Sequence, residues 1–307
     1  MTVLRENPVV RPLPGAETAP EDGRRRRPRR ALKWRILVTF GLAVAAVYFL
    51  FPVYWLIIAS TKSTAALFGS SGMLLDNPQF IQNMVNVVTY DGGIFGRWAL
   101  NSLLYAGVGS VVATVFSIMA GYCLAKFPFR GREFLFNVIL AGVMIPGTAL
   151  ALPLFLLMSQ LGLVNTYWSV LLPSLVSPFG VYLGRIYATA AVPDSLLEAS
   201  RLDGAGEARI FFGLVLRLMA PAAVTVLLFQ FIGIWNNFFL PLVMLSDPKL
   251  YPVTLGLVSW QSVSDRHPEL YQLAVGGALL SVIPIMIAII SLQRFWRAGL
   301  TEGSVKG

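Results

Sequence analysis

A dense run of charge, Glu198-Ala199-Ser200-Arg201-Leu202-Asp203-Gly204-Ala205-Gly206-Glu207, stands between long apolar stretches that carry none. Nothing in it or around it assembles a centre for covalent chemistry. His267 and Cys123 are the sequence's single histidine and single cysteine, which leaves no metal cluster and no disulfide pair. No GxxxxGK[ST] phosphate loop is present, so ATP hydrolysis by that route is excluded. What the run offers is contact chemistry. Pro193 suits a helix start, Ser195-Leu196-Leu197-Glu198 fits a capping box with Glu198 at its third helical position, and Asp203-Gly204 stops the helix after about two turns. Gly204 permits a left-handed turn or the close approach of another backbone, and Ala205 to Phe212 begins a second helix. Capping and turning alone would account for Glu198 and Gly204 in isolation; the position of the loop argues for contact with a partner.

That position follows from composition. Apolar residues make up 56% of the 307 residues, charged ones 13%, and the mean hydropathy is +0.69, a balance that belongs to membrane proteins rather than soluble domains. A hydrocarbon core about 30 Å thick takes roughly 20 apolar residues in helix. Windows free of Lys, Arg, Asp and Glu run over 36–61, 98–125, 134–184, 218–246 and 270–293. The third is too long for one crossing and is interrupted by Gln160-Leu161-Gly162-Leu163-Val164-Asn165-Thr166, a turn composition. Six transmembrane helices are therefore predicted in an all-α integral membrane chain.

Lysine and arginine near span ends mark the cytoplasmic side. With the N-terminus inside, only Lys62, Arg97, Lys249 and Arg266 fall outside, so both termini are predicted cytoplasmic and the Glu198 loop with them. Residues 1–31 read as a disordered basic cytoplasmic tail, 32–62 as the first transmembrane helix, and 63–97 as an extracellular loop. A five-helix core follows over 98–297 with a cytoplasmic loop at 188–217, and 298–307 form a second cytoplasmic tail. Arg24 to Arg30 invite nucleic-acid or twin-arginine readings. The apolar run behind them is too long for a signal-peptide core and five more spans follow, so they are read as a topogenic anchor that also contacts anionic lipid.

The predicted spans contain no ionisable side chain, whereas an ion-coupled carrier or channel needs one within the membrane. A scaffold protein would explain uncharged spans but not the loop between spans four and five. If the chain pumps a solute, the energy must then arrive from another polypeptide. Ser102, Ala106, Ser110 and Thr114 repeat every four residues, as do Ala274 with Ala278 and Gly277 with Ser281, giving small faces for helix contact. Pro146, Pro153, Pro173, Pro178 and Pro284 break the backbone ladder near or within spans, to line a path or to shape the bundle. Asn236 and Asn237, about 27 Å along span five if it is helical, are candidates for substrate contact or for interhelical hydrogen bonds. Asn101 and Tyr105, near the outer end of span two, are further candidates.

The charged loop closely resembles the EAA loop of permease subunits in ATP-binding-cassette (ABC) importers. The likeness extends to Pro52-Val53-Tyr54-Trp55, Asn101-Ser102, Gly121-Tyr122-Cys123-Leu124-Ala125, Phe129-Arg130-Gly131-Arg132, Met144-Ile145-Pro146, Leu161 to Thr166, and Trp235-Asn236-Asn237-Phe238 with Pro241-Leu242. These, over residues 36–297, resemble carbohydrate-uptake permeases, specifically the six-span partner of the maltose-type pair. Ser200 stands for the second alanine of the EAA string, Leu214 for an isoleucine, and Arg217 for a proline that would bend the entry to span five.

The resemblance implies a type I ABC importer permease fold and a non-enzymatic subunit of the cell membrane, with no cofactor of its own. It also implies a second permease, two ATPase subunits that bind ATP and magnesium, and an extracellular solute-binding protein. Glu198, Ala199, Ser200, Asp203, Gly204, Ala205 and Phe211, within a coupling loop at 193–213, would dock the ATPase. The solute would be a mono- or oligosaccharide; the alternatives are an importer for amino acids, peptides or glycerol phosphates, or an ATP-independent carrier.

Overall fold

A computed structural model describes residues 29–69, 72–75 and 77–302, and every regular element in them is helical. A chain this apolar must satisfy its backbone groups internally in lipid, and helices do so within one segment. The elements are α1 (Arg29–Thr61), α2 (Thr64–Gly69), α3 (Phe80–Thr89), α4 (Ile94–Lys126), α5 (Arg132–Val143), α6 (Ala151–Gln160), α7 (Tyr167–Ser174) and α8 (Pro178–Ala191). They continue as α9 (Asp194–Leu202), α10 (Glu207–Ile210), α11 (Leu216–Leu218), α12 (Ala220–Trp235), α13 (Phe239–Met244), α14 (Val253–Ser262) and α15 (Pro268–Glu302). The tails expected at 1–31 and 298–307 lie largely outside the described residues, at 1–28 and 303–307.

The chain divides into two units, 1–52 and 53–307. The described part of the first is a stretch of α1 whose apolar side chains, Phe40, Val47 and Phe49 among them, are exposed along its length. In the second unit α4 is the spine and contributes to three successive cores. Ile118 and Tyr122 pack with Val192, Leu197, Phe211, Val215 and Met219 at one end. Tyr105 and Ala106 pack with Val170, Ile234 and Trp235 in the middle. Phe95 and Trp98 pack with Val87, Val253 and Trp260 at the other end. Ser102, Ala106, Ser110 and Thr114 are all buried, so the small face is turned to the interior, where the Ser102 hydroxyl accepts from the Val253 N–H of α14.

Four helical stretches are long and apolar enough to cross a membrane, 34–61, 80–126, 167–191 and 268–293; a fifth is reached if α10–α11 and α12, bent by 83° at Met219, count as one. The window at 134–184 is interrupted three times. It breaks between α5 and α6 at the Pro146 segment, at the expected 161–166 turn, where Gly162 (φ 68°) and Asn165 (φ 59°) are left-handed, and between α7 and α8 just before Pro178.

Residues 63–97, expected as a loop, contain α2, α3 and the first residues of α4. α3 is amphipathic and buries Asn83 and Val87 against α15. Trp98 stands at the start of an uncharged window, where an indole reads as marking the outer lipid interface, but it is 2% exposed. Its ring lies 4.8 Å from that of Trp260, and its indole N–H donates to the Pro248 carbonyl at 2.8 Å.

Candidate functional site

The segment after α8 is pinned at both ends of its short helix. Lys126, the last residue of α4, meets Asp194 in the first turn of α9 at 2.8 Å, placing a carboxylate at a helix N-terminus. Leu197 is the buried residue of α9 and enters the core beneath it. At the other end the Gly204 N–H donates to the Arg201 carbonyl and the Ala205 N–H to that of Ser200, both at 3.0 Å. That pair of bonds is the Schellman closure, and Gly204 takes the left-handed φ of 79° it needs. The stop at Asp203-Gly204 is thus as the sequence indicated. The capping box is not: Pro193 occupies the N-cap, and no side chain caps the helix. Ser195 falls inside the first turn, because proline's fixed φ and missing N–H suit the helix entrance without help from a hydroxyl.

This construction leaves Glu198, Ala199, Asp203 and Gly204 exposed, with Ser200 and Ala205 half-buried. Leu202 projects as an 88% exposed apolar side chain between them. Phe211, 5% exposed, faces the other way, with its ring 5.9 Å from that of Tyr122. It anchors the loop rather than presenting a surface. The Arg201 guanidinium bonds Glu207 at 2.7 Å, which raises its already high pKa and ties α9 to α10. The second helix begins at Glu207, not Ala205, and passes through a π-turn, Phe211–Val215, before the break at Met219. The bend that Arg217 was expected to remove is therefore present, with Pro221 in the first turn of α12.

The four polar candidates separate into two pairs. Asn101 is buried and fully engaged. Its amide N–H groups donate to the Lys249 (2.9 Å) and Tyr251 (3.0 Å) carbonyls, while its oxygen accepts from the Tyr167 hydroxyl at 3.1 Å. The Tyr105 hydroxyl donates to the Leu250 carbonyl at 3.0 Å. Both hold the segment that follows α13. Asn236 and Asn237 sit where α12 ends: Asn236 is exposed and donates back to Ile232, whereas the Asn237 oxygen accepts from the Leu240 N–H.

Asn237 also lines a cleft of about 450 Å³ formed where helix breaks converge: Gly147 and Thr148 between α5 and α6, Ser174 and Val176 between α7 and α8, and Gln230 and Gly233 on α12. Gln230, Gly233 and Asn237 fall at i, i+3 and i+7, one face of a helix. Gln230 donates to the Ser177 hydroxyl, which accepts from the Gly180 N–H at 3.0 Å, and the Ser117 hydroxyl donates to the Ser177 carbonyl at 3.4 Å. Thr148, Ser174, Ser177 and Gln230 were not singled out from sequence. The signal was the prolines at 146, 173 and 178, which mark freed backbone but do not say which polar side chains gather beside it.

Residues 113–300 match the family described as binding-protein-dependent transport system inner membrane component. The chain belongs to this family. The permease is 37% identical over 278 residues, 90% of its length and 97% of the relative's, to the arabinooligosaccharides transport system permease protein AraQ of Halalkalibacterium halodurans. It is 29% identical to the diacetylchitobiose uptake system permease protein NgcG of Streptomyces coelicolor, over 86% of this chain and 87% of that one. Its fold matches a chain in the crystal structure of a bacterial ABC transporter involved in the import of the acidic polysaccharide alginate. The TM-score there is 0.75 at 23% identity, over 87% of this chain and 98% of that one. The protein is thus a membrane transport component and not an enzyme. What its surface offers is an exposed short helix, α9, beside one end of α4 and a neutral polar cleft at the helix breaks.

Proposed function

We propose that this permease forms half of the translocation pathway of a sugar importer and is driven by ATPase subunits that grip α9 from the cytoplasm. The observation that carries the reading is the docking helix. Its outward residues are exposed, while Leu197, the Gly204 turn and the Lys126–Asp194 and Arg201–Glu207 pairs fix its position. A displacement imposed on α9 therefore passes to α4 and α8 rather than being absorbed in a loose loop.

The membrane arrangement proposed is six spans: α1, α4, α5 with α6, α7 with α8, α12, and α15, with both termini cytoplasmic. The third and fourth spans are both broken, and residues of each break, Gly147 and Thr148 in one and Val176 in the other, line the cleft, as broken backbone in a membrane requires. A second permease supplies the other half of the path, two ATPase subunits bind ATP and magnesium, and an extracellular binding protein delivers the solute. ATP binding closes the ATPase pair, carries Glu198, Ala199, Ser200, Asp203 and Gly204 with it, and tilts the spans between inward-open and outward-open.

A sugar is favoured over a charged solute because the cleft presents Thr148, Ser174, Gln230 and Asn237 and no ionised side chain, suiting neutral hydroxyls. The names of its relatives, for arabinooligosaccharides and diacetylchitobiose, agree. Amino acids, peptides or glycerol phosphates would call for a fixed charge there. The test is purification from membranes through a C-terminal tag. Co-elution of an ATPase and a second permease, lost on Gly204→Trp, is expected; a lone homo-oligomer would overturn the reading.

A further inference from the structure

A second polar cleft, of about 320 Å³, lies where α3, the start of α15 and the chain just after α1 meet. We infer that it is an entry subsite for one ring of a neutral sugar, a reading that rests on the sugar-importer function proposed above. Its lining is dominated by carboxamides, Gln79, Asn83, Asn86 and Gln272, with the Tyr90 ring at one edge and Glu269 as the single charged group. A carboxamide both donates and accepts, as does every sugar hydroxyl, although the Asn83 amino group is already committed to the Ser60 and Lys62 carbonyls. An anion would find no cation in this lining, and an apolar solute would strip water from the exposed amides for nothing in return.

Gln272 supplies the decisive detail. It is 4% exposed, and its amide nitrogen is buried without a hydrogen-bond partner among the described residues. Folded proteins rarely leave such a donor unmatched, so this one calls for a partner, and beside a polar cleft an entering hydroxyl can supply it. The facing wall is rigid. Asn83 is itself buried and donates to the carbonyls of Ser60, in the last turn of α1, and Lys62, just after it, both at 2.9 Å, which welds α3 to that end of α1. The Tyr90 ring is held edge-on against Trp260, 5.6 Å between centroids. The volume sits at the small end of ligand sites.

Placement gives the cleft its role. Tyr90 lies just before the N-terminus of α4, and the docking helix is tied to Lys126 at its C-terminus. The 33 residues of α4 put about 50 Å between them. The cleft is therefore at the end away from the ATPase, where solute arrives, and it shares no lining residue with the cleft at the helix breaks.

The experiment uses the full-length chain in lipid nanodiscs, with Cys123→Ser removing the native thiol and Thr89→Cys placing one at the cleft rim. Labelling of that thiol by a maleimide is timed with and without arabinobiose and diacetylchitobiose. At a sugar concentration about ten times its dissociation constant, labelling should slow about tenfold. Gln272→Leu, and separately Asn86→Leu at an exposed position that folding tolerates, should abolish the protection while leaving the sugar-free rate unchanged. No protection by either sugar, or protection that survives both variants, overturns the subsite. Cellular uptake of the same two sugars is scored separately. Uptake without protection removes the subsite alone, and protection without uptake removes the importer reading instead.

Discussion

Gly121 of α4 and Gly184 of α8 cross at backbone contact: a Cβ on Gly121 would lie 2.5 Å from the Gly184 carbonyl carbon, and also 2.5 Å from the Arg185 nitrogen. Gly180, one turn earlier on α8, is equally close to the Ser117 hydroxyl. The two helices thus meet backbone to backbone at Gly121 and Gly184, with only the small Ser117 side chain between them one turn away, over the stretch that leads into α9.

Gly121→Ala should separate α4 from α8, because the obstacle is backbone and cannot rotate away. The expected cost is about 1–3 kcal/mol of stability, with ATPase coupling weakened as the two helices lose their common motion. Gly107→Ala on the same helix meets nothing within 4 Å and should instead gain about 0.5–1 kcal/mol from helix propensity. Thermal unfolding of the detergent-solubilised chain, compared across the two variants, reads the contrast; equal behaviour would mean the crossing is loose.

At Gly204 space and conformation give opposite advice. A Cβ there touches nothing, yet φ is 79°, so Gly204→Ala should lose only about 1–2 kcal/mol of stability to local backbone strain and keep its partners. Gly204→Trp carries the same strain plus a bulky ring on the exposed turn. It should fold but fail to retain an ATPase. Binding of the ATPase subunit to the two variants, measured side by side, separates strain from steric blockade.

The short helix α9 was legible because charge, Pro193 and the Asp203-Gly204 stop are local signals set in an uncharged background. The crossing of α4 and α8 was not, since Gly121 and Gly184 are 63 positions apart and a helical glycine gives no sign of what approaches it. The 83° bend at Met219 was hidden for a related reason: Pro221 sits in the first turn of α12, where proline is tolerated and so marks a start rather than a break. Ser195 misled because Ser-x-x-Glu fits a capping box whatever precedes it, and only the geometry shows Pro193 already at the cap. Trp98 misled because an indole near a span end reads as interfacial, whereas Gly256 leaves a gap that its ring fills; a Cβ on Gly256 would fall 2.1 Å from that ring.

Asn101 and Asn237 should respond differently to the same change. Asn101→Leu strips partners from the Lys249 and Tyr251 carbonyls and the Tyr167 hydroxyl, at a cost of about 1–3 kcal/mol for the buried groups left unpaired. It should lower the melting temperature and transport together. Asn237→Leu gives up only a 3.3 Å bond from the Leu240 N–H, so stability should fall by less than about 1 kcal/mol. Uptake should fall far more than stability, since the amide faces the cleft. Unchanged uptake in well-folded Asn237→Leu would remove that residue from the path.

The start of α5 and the middle of α8 are joined by Glu133, which accepts from Arg185 at 2.5 Å and from Arg132 at 3.2 Å, while the Arg185 guanidinium lies 4.0 Å from the centroid of the Phe136 ring. The hydrogen bond from Arg185, more than its charge, holds the Glu133 carboxyl below its ordinary value near 4.5. A carboxyl whose folded pKa is depressed adds stability that is complete above the unfolded value and is lost as pH falls through the folded one. The permease should therefore keep this contribution at neutral pH and at pH 5, and shed it progressively below about 4.3. Glu133→Gln keeps a hydrogen-bond acceptor but cannot titrate, so its melting temperature should fall less steeply than the wild type's on acidification. Parallel pH profiles for the two proteins would show that the ion pair contributes nothing to holding α5 against α8.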